Sequence, residues 1–174
     1  MKGLIHCYTG DGKGKTTAAA GLALRAAGRG KRVLFAQFLK DGSSGEIAAL
    51  KQLPGVVCVP CPKISGFFRS MTAEEQDETR RMSTAYFDEV TGRAAEEGFE
   101  LLVLDEFMAA YALEIIDRER ALSFLREKPD GLEVVLTGRD VPEEVAALCD
   151  YLTECRKVKH PFDKGITARE GIEY

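Results

Sequence analysis

The chain has 174 residues, 45% hydrophobic and 30% charged, with a net charge of −4. That is long enough for one full α/β core and carries no basic field that would point to nucleic acid. No charged-then-apolar leader precedes the first strand-like run and no apolar run approaches bilayer length, so residues 1–174 are expected to form one cytoplasmic domain with no membrane partner. Its five cysteines then fit reduced thiols better than a disulfide framework.

Uninterrupted apolar runs at 4–8, 33–38, 56–59, 101–104 and 134–136 predict strands buried on both faces of a parallel sheet. Between the first two, residues 9–17 read Thr-Gly-Asp-Gly-Lys-Gly-Lys-Thr-Thr and lead into an Ala/Leu-rich helix predicted over 16–27 and stopped by Gly28. Gly10, Gly12 and Gly14 let consecutive backbone N–H groups curl around an anion, and the helix start adds its partial positive charge. Lys15 reaches outer phosphate oxygens, and the Thr16 hydroxyl is placed to ligate Mg²⁺. Thr9 stands where the pattern G-x-x-x-x-G-K-[ST] has its first glycine. A Gly/Lys-rich surface turn is the alternative, but the strand–loop–helix setting favours a nucleoside triphosphate.

Further along, Cys58-x-x-Cys61 lies in a Pro-punctuated stretch with no second pair at zinc spacing, since five residues separate Cys149 from Cys155. Structural thiols are the simpler reading there. Residues 63–72 form a loop carrying Phe67, Phe68 and Arg69, in which the aromatics either anchor the loop to the core or wall a large flat ligand. Thr72 with Glu75 makes a capping box for a long helix whose Met82, Tyr86, Val90 and Ala94 form one apolar stripe. A second box, Asp140 with Glu143, is predicted before residues 145–148, and 151–155 are strand-like. Alternation of this kind predicts a three-layer α/β fold with a mostly parallel central sheet, as in P-loop NTPases.

Ligands in such sheets sit at the carboxyl ends of the strands. Asp105 and Glu106 follow the run 101–104 and are read as cation-site acids, with Asp105 reaching Mg²⁺ directly or through water and Glu106 a second ligand or a general base. The alternative is a helix cap followed by a favourable first-turn acid. Arg139, after Thr137-Gly138, is positioned to fork onto phosphate oxygens or to cap the next turn. The basic stretch 156–163 is either a solvated edge or a meeting point for an anionic substrate, and His160 within it reads as structural.

Several of these blocks together resemble the ATP:corrinoid adenosyltransferases of the cobalamin pathway. They are Tyr8-Thr9-Gly10-Asp11-Gly12-Lys13-Gly14-Lys15-Thr16-Thr17-Ala18, Gln37-Phe38-Leu39-Lys40, Val103-Leu104-Asp105-Glu106 and Leu136-Thr137-Gly138-Arg139. The stretch from Val158-Lys159-His160-Pro161-Phe162-Asp163-Lys164-Gly165-Ile166 through Gly171-Ile172-Glu173-Tyr174 completes the series, in the family's order and over essentially the whole chain. Thr9 in place of glycine belongs to that family's loop.

The resemblance implies that a corrinoid reduced to cobalt(I) attacks the 5′-carbon of ATP, triphosphate leaves, and an adenosyl–cobalt bond forms. ATP would lie reversed in the loop relative to kinases, held by Thr9, Gly10, Asp11, Gly12, Lys13, Gly14, Lys15, Thr16 and Thr17. Thr16 and Glu106 would ligate Mg²⁺ with Asp105 in support, and Lys15 with Arg139 would meet the charge developing on the leaving triphosphate. Phe67 matches the aromatic that packs under the corrin ring and eases cobalt(II) reduction. The tryptophan that follows it closely in well-known members is missing, Arg69 standing about there in a chain without any Trp. A homodimer and an electron-donor reductase as partner are also implied, and any lid is expected from elsewhere than an N-terminal extension. A small P-loop nucleotide or nucleoside kinase and a non-catalytic ATP-binding regulatory module are the competing readings.

Overall fold

The computed structural model describes every residue except Met1, Asp41, Ser43, Lys63, Ser65 and Tyr174. Lys63 and Ser65 of the predicted loop, and Tyr174 of the family resemblance, thus lie outside the described residues. In chain order the elements are β1 (Ile5–Thr9), α1 (Lys15–Ala27), β2 (Val33–Gln37), α2 (Gly45–Leu50), β3 (Val56–Val59), a 3-10 turn (Phe68–Ser70), α3 (Ala73–Glu96), β4 (Leu101–Asp105), α4 (Phe107–Ala112), α5 (Arg118–Glu127), β5 (Glu133–Thr137), α6 (Glu143–Ala146), β6 (Tyr151–Glu154) and a second 3-10 turn (Pro161–Lys164). Among the described residues no helix is long and apolar enough to cross a membrane.

The six strands form one sheet in the order β3-β2-β4-β5-β1-β6, and every pairing is parallel. The apolar runs lack alternation because both faces are covered. Leu34, Ala36, Leu102, Leu104, Val134 and Leu136 point to the side of α3, α4 and α5, where Tyr86, Phe87, Phe107 and Leu122 meet them. Val33, Phe35, Leu101, Val103 and Val135 point the other way, onto Ala19, Ala23 and Ala26 of α1 and onto Ile47 and Leu50 of α2. The small side chains of α1 let that helix lie close across β1, β5 and β4. Its N-terminus thereby stands at the carboxyl edge of the sheet.

The Thr72–Glu75 box forms in both directions: Glu75 N–H donates to Thr72 Oγ1 at 3.3 Å, and Thr72 N–H donates to Glu75 Oε2 at 2.8 Å. The buried face of α3 is broader than the predicted stripe. Thr79, Ser83, Phe87 and Thr91 share it, while Met82 is only partly buried. Thr91 is tolerated there because its hydroxyl donates to the Phe87 carbonyl at 2.8 Å. The second predicted box is absent: Asp140 is left-handed at φ 51°, and Pro142 occupies the cap position of the short α6 with no side-chain bond.

Candidate active site

The loop between β1 and α1 is held from below by the segment after β6. Gly12 N–H donates to the Cys155 carbonyl at 2.6 Å, and a Cβ on Gly10 or Gly12 would lie 2.6 Å from that same oxygen. Gly14, left-handed at φ 119°, then swings the chain into α1, whose first turn holds no acid to neutralise its free N–H groups. Lys15 Nζ spans the loop, donating to the carbonyls of Gly10 at 2.8 Å and Gly12 at 2.7 Å. Asp11 turns outward and accepts the Lys157 N–H at 2.9 Å, which holds its carboxyl below the usual range. Lys13 donates to the Ile172 carbonyl at 2.6 Å and to Glu173 Oε1 at 3.0 Å. Thr9 is buried at the end of β1, its carbonyl taken by Cys155 N–H at 2.7 Å.

The strand carrying Asp105 is not adjacent to β1; β5 lies between them. Asp105 is fully buried and accepts four hydrogen bonds. Thr16 Oγ1 at 2.9 Å and Thr137 Oγ1 at 2.7 Å meet Oδ1, while Lys40 Nζ at 2.8 Å and Gln37 Nε2 at 3.0 Å meet Oδ2. Asp105 closes its strand, and Glu106 takes the cap position of α4 with a left-handed backbone at φ 59°, so the sequence alternative of Asp105 as helix cap does not hold. Burial pushes the Glu106 carboxyl up, reinforced by Asp105 and opposed by Lys40, Lys15 and Arg139.

These residues open onto one cavity of about 1340 Å³, whose walls include Lys13, Lys15, Thr16, Glu106, Arg139 and Phe67. Arg139 reaches it because Gly138 turns at φ 145° against α4, where a Cβ would lie 2.4 Å from Met108 Cβ. The donor set is hard oxygen (Thr16, Asp105, Glu106), the kind Mg²⁺ takes. Among the described residues no three His, Cys, Asp or Glu side chains gather into a metal site. A cation here would therefore complete its shell with phosphate and water oxygens.

The ATP:corrinoid adenosyltransferase family BtuR/CobO/CobP matches residues 1–174. The chain belongs to this family. A corrinoid adenosyltransferase of Escherichia coli (strain K12) is 34% identical over 177 residues, covering 99% of this chain and 86% of that protein. The corrinoid adenosyltransferase CobA of Salmonella typhimurium (strain LT2) is 35% identical over 173 residues, with the same 99% and 86% coverage. Among solved structures, ATPases 2 and 3 of EssC from Geobacillus thermodenitrificans superpose with a TM-score of 0.52 at 20% identity, over 97% of this chain and 35% of that one. That likeness is one of fold.

In this adenosyltransferase the two loop aromatics separate. Both line the cavity, but Phe68 packs against the core beneath the Arg80 guanidinium, 5.2 Å from the ring centre, whereas Phe67 is 87% exposed. Arg69 is exposed and stands outside the cavity lining. His160 lines the cavity, yet its Nδ1 is occupied in accepting the Phe162 N–H at 3.2 Å. Cys58 and Cys61 are free thiols pushed up by burial, in keeping with the structural reading. Sequence reasoning gave no separate role to Gln37, Lys40, Thr137 or Glu173. The carboxyl-edge rule applied to the end of β2 would have found the first two. The Lys13–Glu173 contact had no local signal.

Proposed function

We propose that this adenosyltransferase binds ATP with Mg²⁺ on the phosphate loop, binds a reduced corrinoid across the rest of the cavity, and joins the 5′-carbon of ATP to cobalt(I), serving adenosylcobalamin biosynthesis or salvage. The observation that carries the reading is the cavity itself. At about 1340 Å³ it exceeds the roughly 300–1,000 Å³ of a pocket for one small ligand, and it joins an anion cradle to an exposed aromatic. A nucleotide leaves room there for a second, large and flat molecule.

Cobalt(I) supplies the electron pair to the 5′-carbon; the carbon–cobalt bond forms as the bond from C5′ to its oxygen breaks. That oxygen keeps the pair and leaves with triphosphate, and cobalt ends two electrons more oxidised. The protein then needs to bind and orient rather than to move a proton. The loop N–H groups and the start of α1 receive the leaving triphosphate, Lys15 and Arg139 add charge at its oxygens, and Phe67 offers a flat apolar face to the corrin. Thr16 and Glu106 would hold Mg²⁺ with Asp105 fixing Thr16, and the bound ion would neutralise charge on the triphosphate. A reductase as electron donor, a homodimer, one domain over residues 1–174 and a cytoplasmic location complete the proposal.

The test mixes protein, Mg·ATP and chemically reduced cob(I)alamin under anaerobic conditions and follows the visible spectrum with the phosphate products. Growth of a light-sensitive alkyl-cobalamin spectrum matched by triphosphate release is the expected result. A silent spectrum with cobalamin, cobinamide and a,c-diamide substrates, with ADP forming instead, would move the chain to kinase chemistry.

A further inference from the structure

Lys40 stands in the middle of the oxygen donors described above. Its Nζ lies 2.8 Å from Asp105 Oδ2, 3.4 Å from Thr16 Oγ1 and 3.9 Å from Glu106 Oε1. The backbone bends to put it there: Leu39, a branched residue, is left-handed at φ 57°. Such a conformation costs energy and persists only where its surroundings demand it. Thr16 gives its hydroxyl proton to Asp105 Oδ1, so its lone pairs face the Lys40 ammonium. Those lone pairs are the ones a metal ion would use.

We infer that Lys40 is a positioning residue that holds the cation site as its resident counter-ion, and that it releases the site to a divalent cation only when a polyphosphate arrives to take the ammonium. The inference rests on the reading of Thr16 and Glu106 as Mg²⁺ ligands. An ammonium and a divalent ion cannot share one set of oxygens only a few ångströms across, because their repulsion in a partly buried site is poorly screened. Lys40 is 27% exposed on a flexible four-carbon stem and lines the same cavity as Lys15 and Arg139. It can therefore swing from Asp105 to a phosphate oxygen without moving the backbone. Metal and polyphosphate then bind together, and neither carboxylate is left without a cation between turnovers.

The test is a Mn²⁺ titration followed by electron paramagnetic resonance, with and without inorganic tripolyphosphate. For the unaltered protein, tripolyphosphate is expected to tighten Mn²⁺ at least tenfold; tight Mn²⁺ binding without it would overturn the inference, whatever the variants do. Lys40→Gln keeps a hydrogen bond to Asp105 but loses the charge. It is expected to bind Mn²⁺ alone at least tenfold more tightly and Mg-tripolyphosphate, by calorimetry, at least tenfold more weakly. Lys40→Arg is expected to exclude Mn²⁺ as the unaltered protein does. Unchanged Mn²⁺ affinity in Lys40→Gln would overturn the role of Lys40 alone, provided Glu106→Gln still abolishes Mn²⁺ binding in the presence of tripolyphosphate. Mn²⁺ binding indifferent to Glu106→Gln in every background would instead overturn the metal-site reading.

Discussion

Thr137 Oγ1 donates to Asp105 Oδ1 at 2.7 Å and accepts the Glu106 N–H at 2.8 Å. One hydroxyl at the end of β5 thus fixes the side chain of the buried acid and the backbone of the partly buried one. It also bridges the gap that β5 puts between the phosphate-loop strand and the acid strand, since Thr16 donates to the same Oδ1 at 2.9 Å. Thr137→Val keeps the shape but orphans a buried N–H and removes a donor from a buried carboxylate, so it should cost about 1–3 kcal/mol. The check is thermal melting together with adenosyl transfer: both should fall, and Thr137→Ser should restore both.

Glu106→Gln preserves size and removes the charge read as a metal ligand. Turnover with Mg·ATP should drop at least ~10–100-fold, with little change in melting temperature because the side chain is a third exposed (34%). Metal titration at saturating ATP is the measurement, and excess Mg²⁺ should recover part of the loss.

Phe67 and Phe68 should respond differently to truncation. Phe67→Ala touches no core, so stability should stay within about 0.5 kcal/mol, ATP affinity should hold, and reduction of bound cobalt(II) should suffer. Phe68→Ala should lower stability by up to about 3 kcal/mol through lost packing. Denaturant unfolding and corrinoid binding spectra separate the two.

Gly12→Ala would press a methyl group to 2.6 Å from the Cys155 carbonyl. The loop has to lift off that segment, losing the bond from Gly12 N–H. ATP affinity should weaken by at least about tenfold, or ~1.4 kcal/mol, while the sheet survives, as ATP titration and circular dichroism would report.

The Glu173 carboxyl is held down to about 2, first by Arg169 and then by Lys13, from an ordinary value of 4.5. A depressed value in the folded state means that this clasp contributes fully above pH 4.5 and is lost as pH falls through about 2. A carbon-detected NMR titration of Glu173 should show a midpoint near 2, and Lys13→Met should move it upward.

Much of the fold was legible because burial on both faces leaves an unmistakable trace. The runs 33–38 and 101–104 differ from β2 (Val33–Gln37) and β4 (Leu101–Asp105) by one residue each. The box at Thr72 was legible because it closes within three residues, as its geometry requires. The box at Asp140 failed because Asp140 itself is left-handed and the helix begins only at Glu143, with Pro142 at its cap. Helix α5 was passed over although Asp117 caps it through Arg120 N–H at 2.9 Å and Ala121, Leu122 and Leu125 form its buried face.

The sequence by itself determined the phosphate loop, the acid pair after a buried strand, the parallel α/β architecture and the family. Each is encoded within a few consecutive residues or in the order of short blocks, and local sterics and hydrogen bonding act over that range. Only the tertiary structure decided that Phe68 packs on the core while Phe67 stands exposed in the cavity wall, that Lys40 and Gln37 converge on Asp105, and that Glu173 reaches Lys13. Those contacts join side chains 65 to 160 positions apart. Their partners are chosen by strand order and by which way each turn leaves the sheet, and no local pattern carries either.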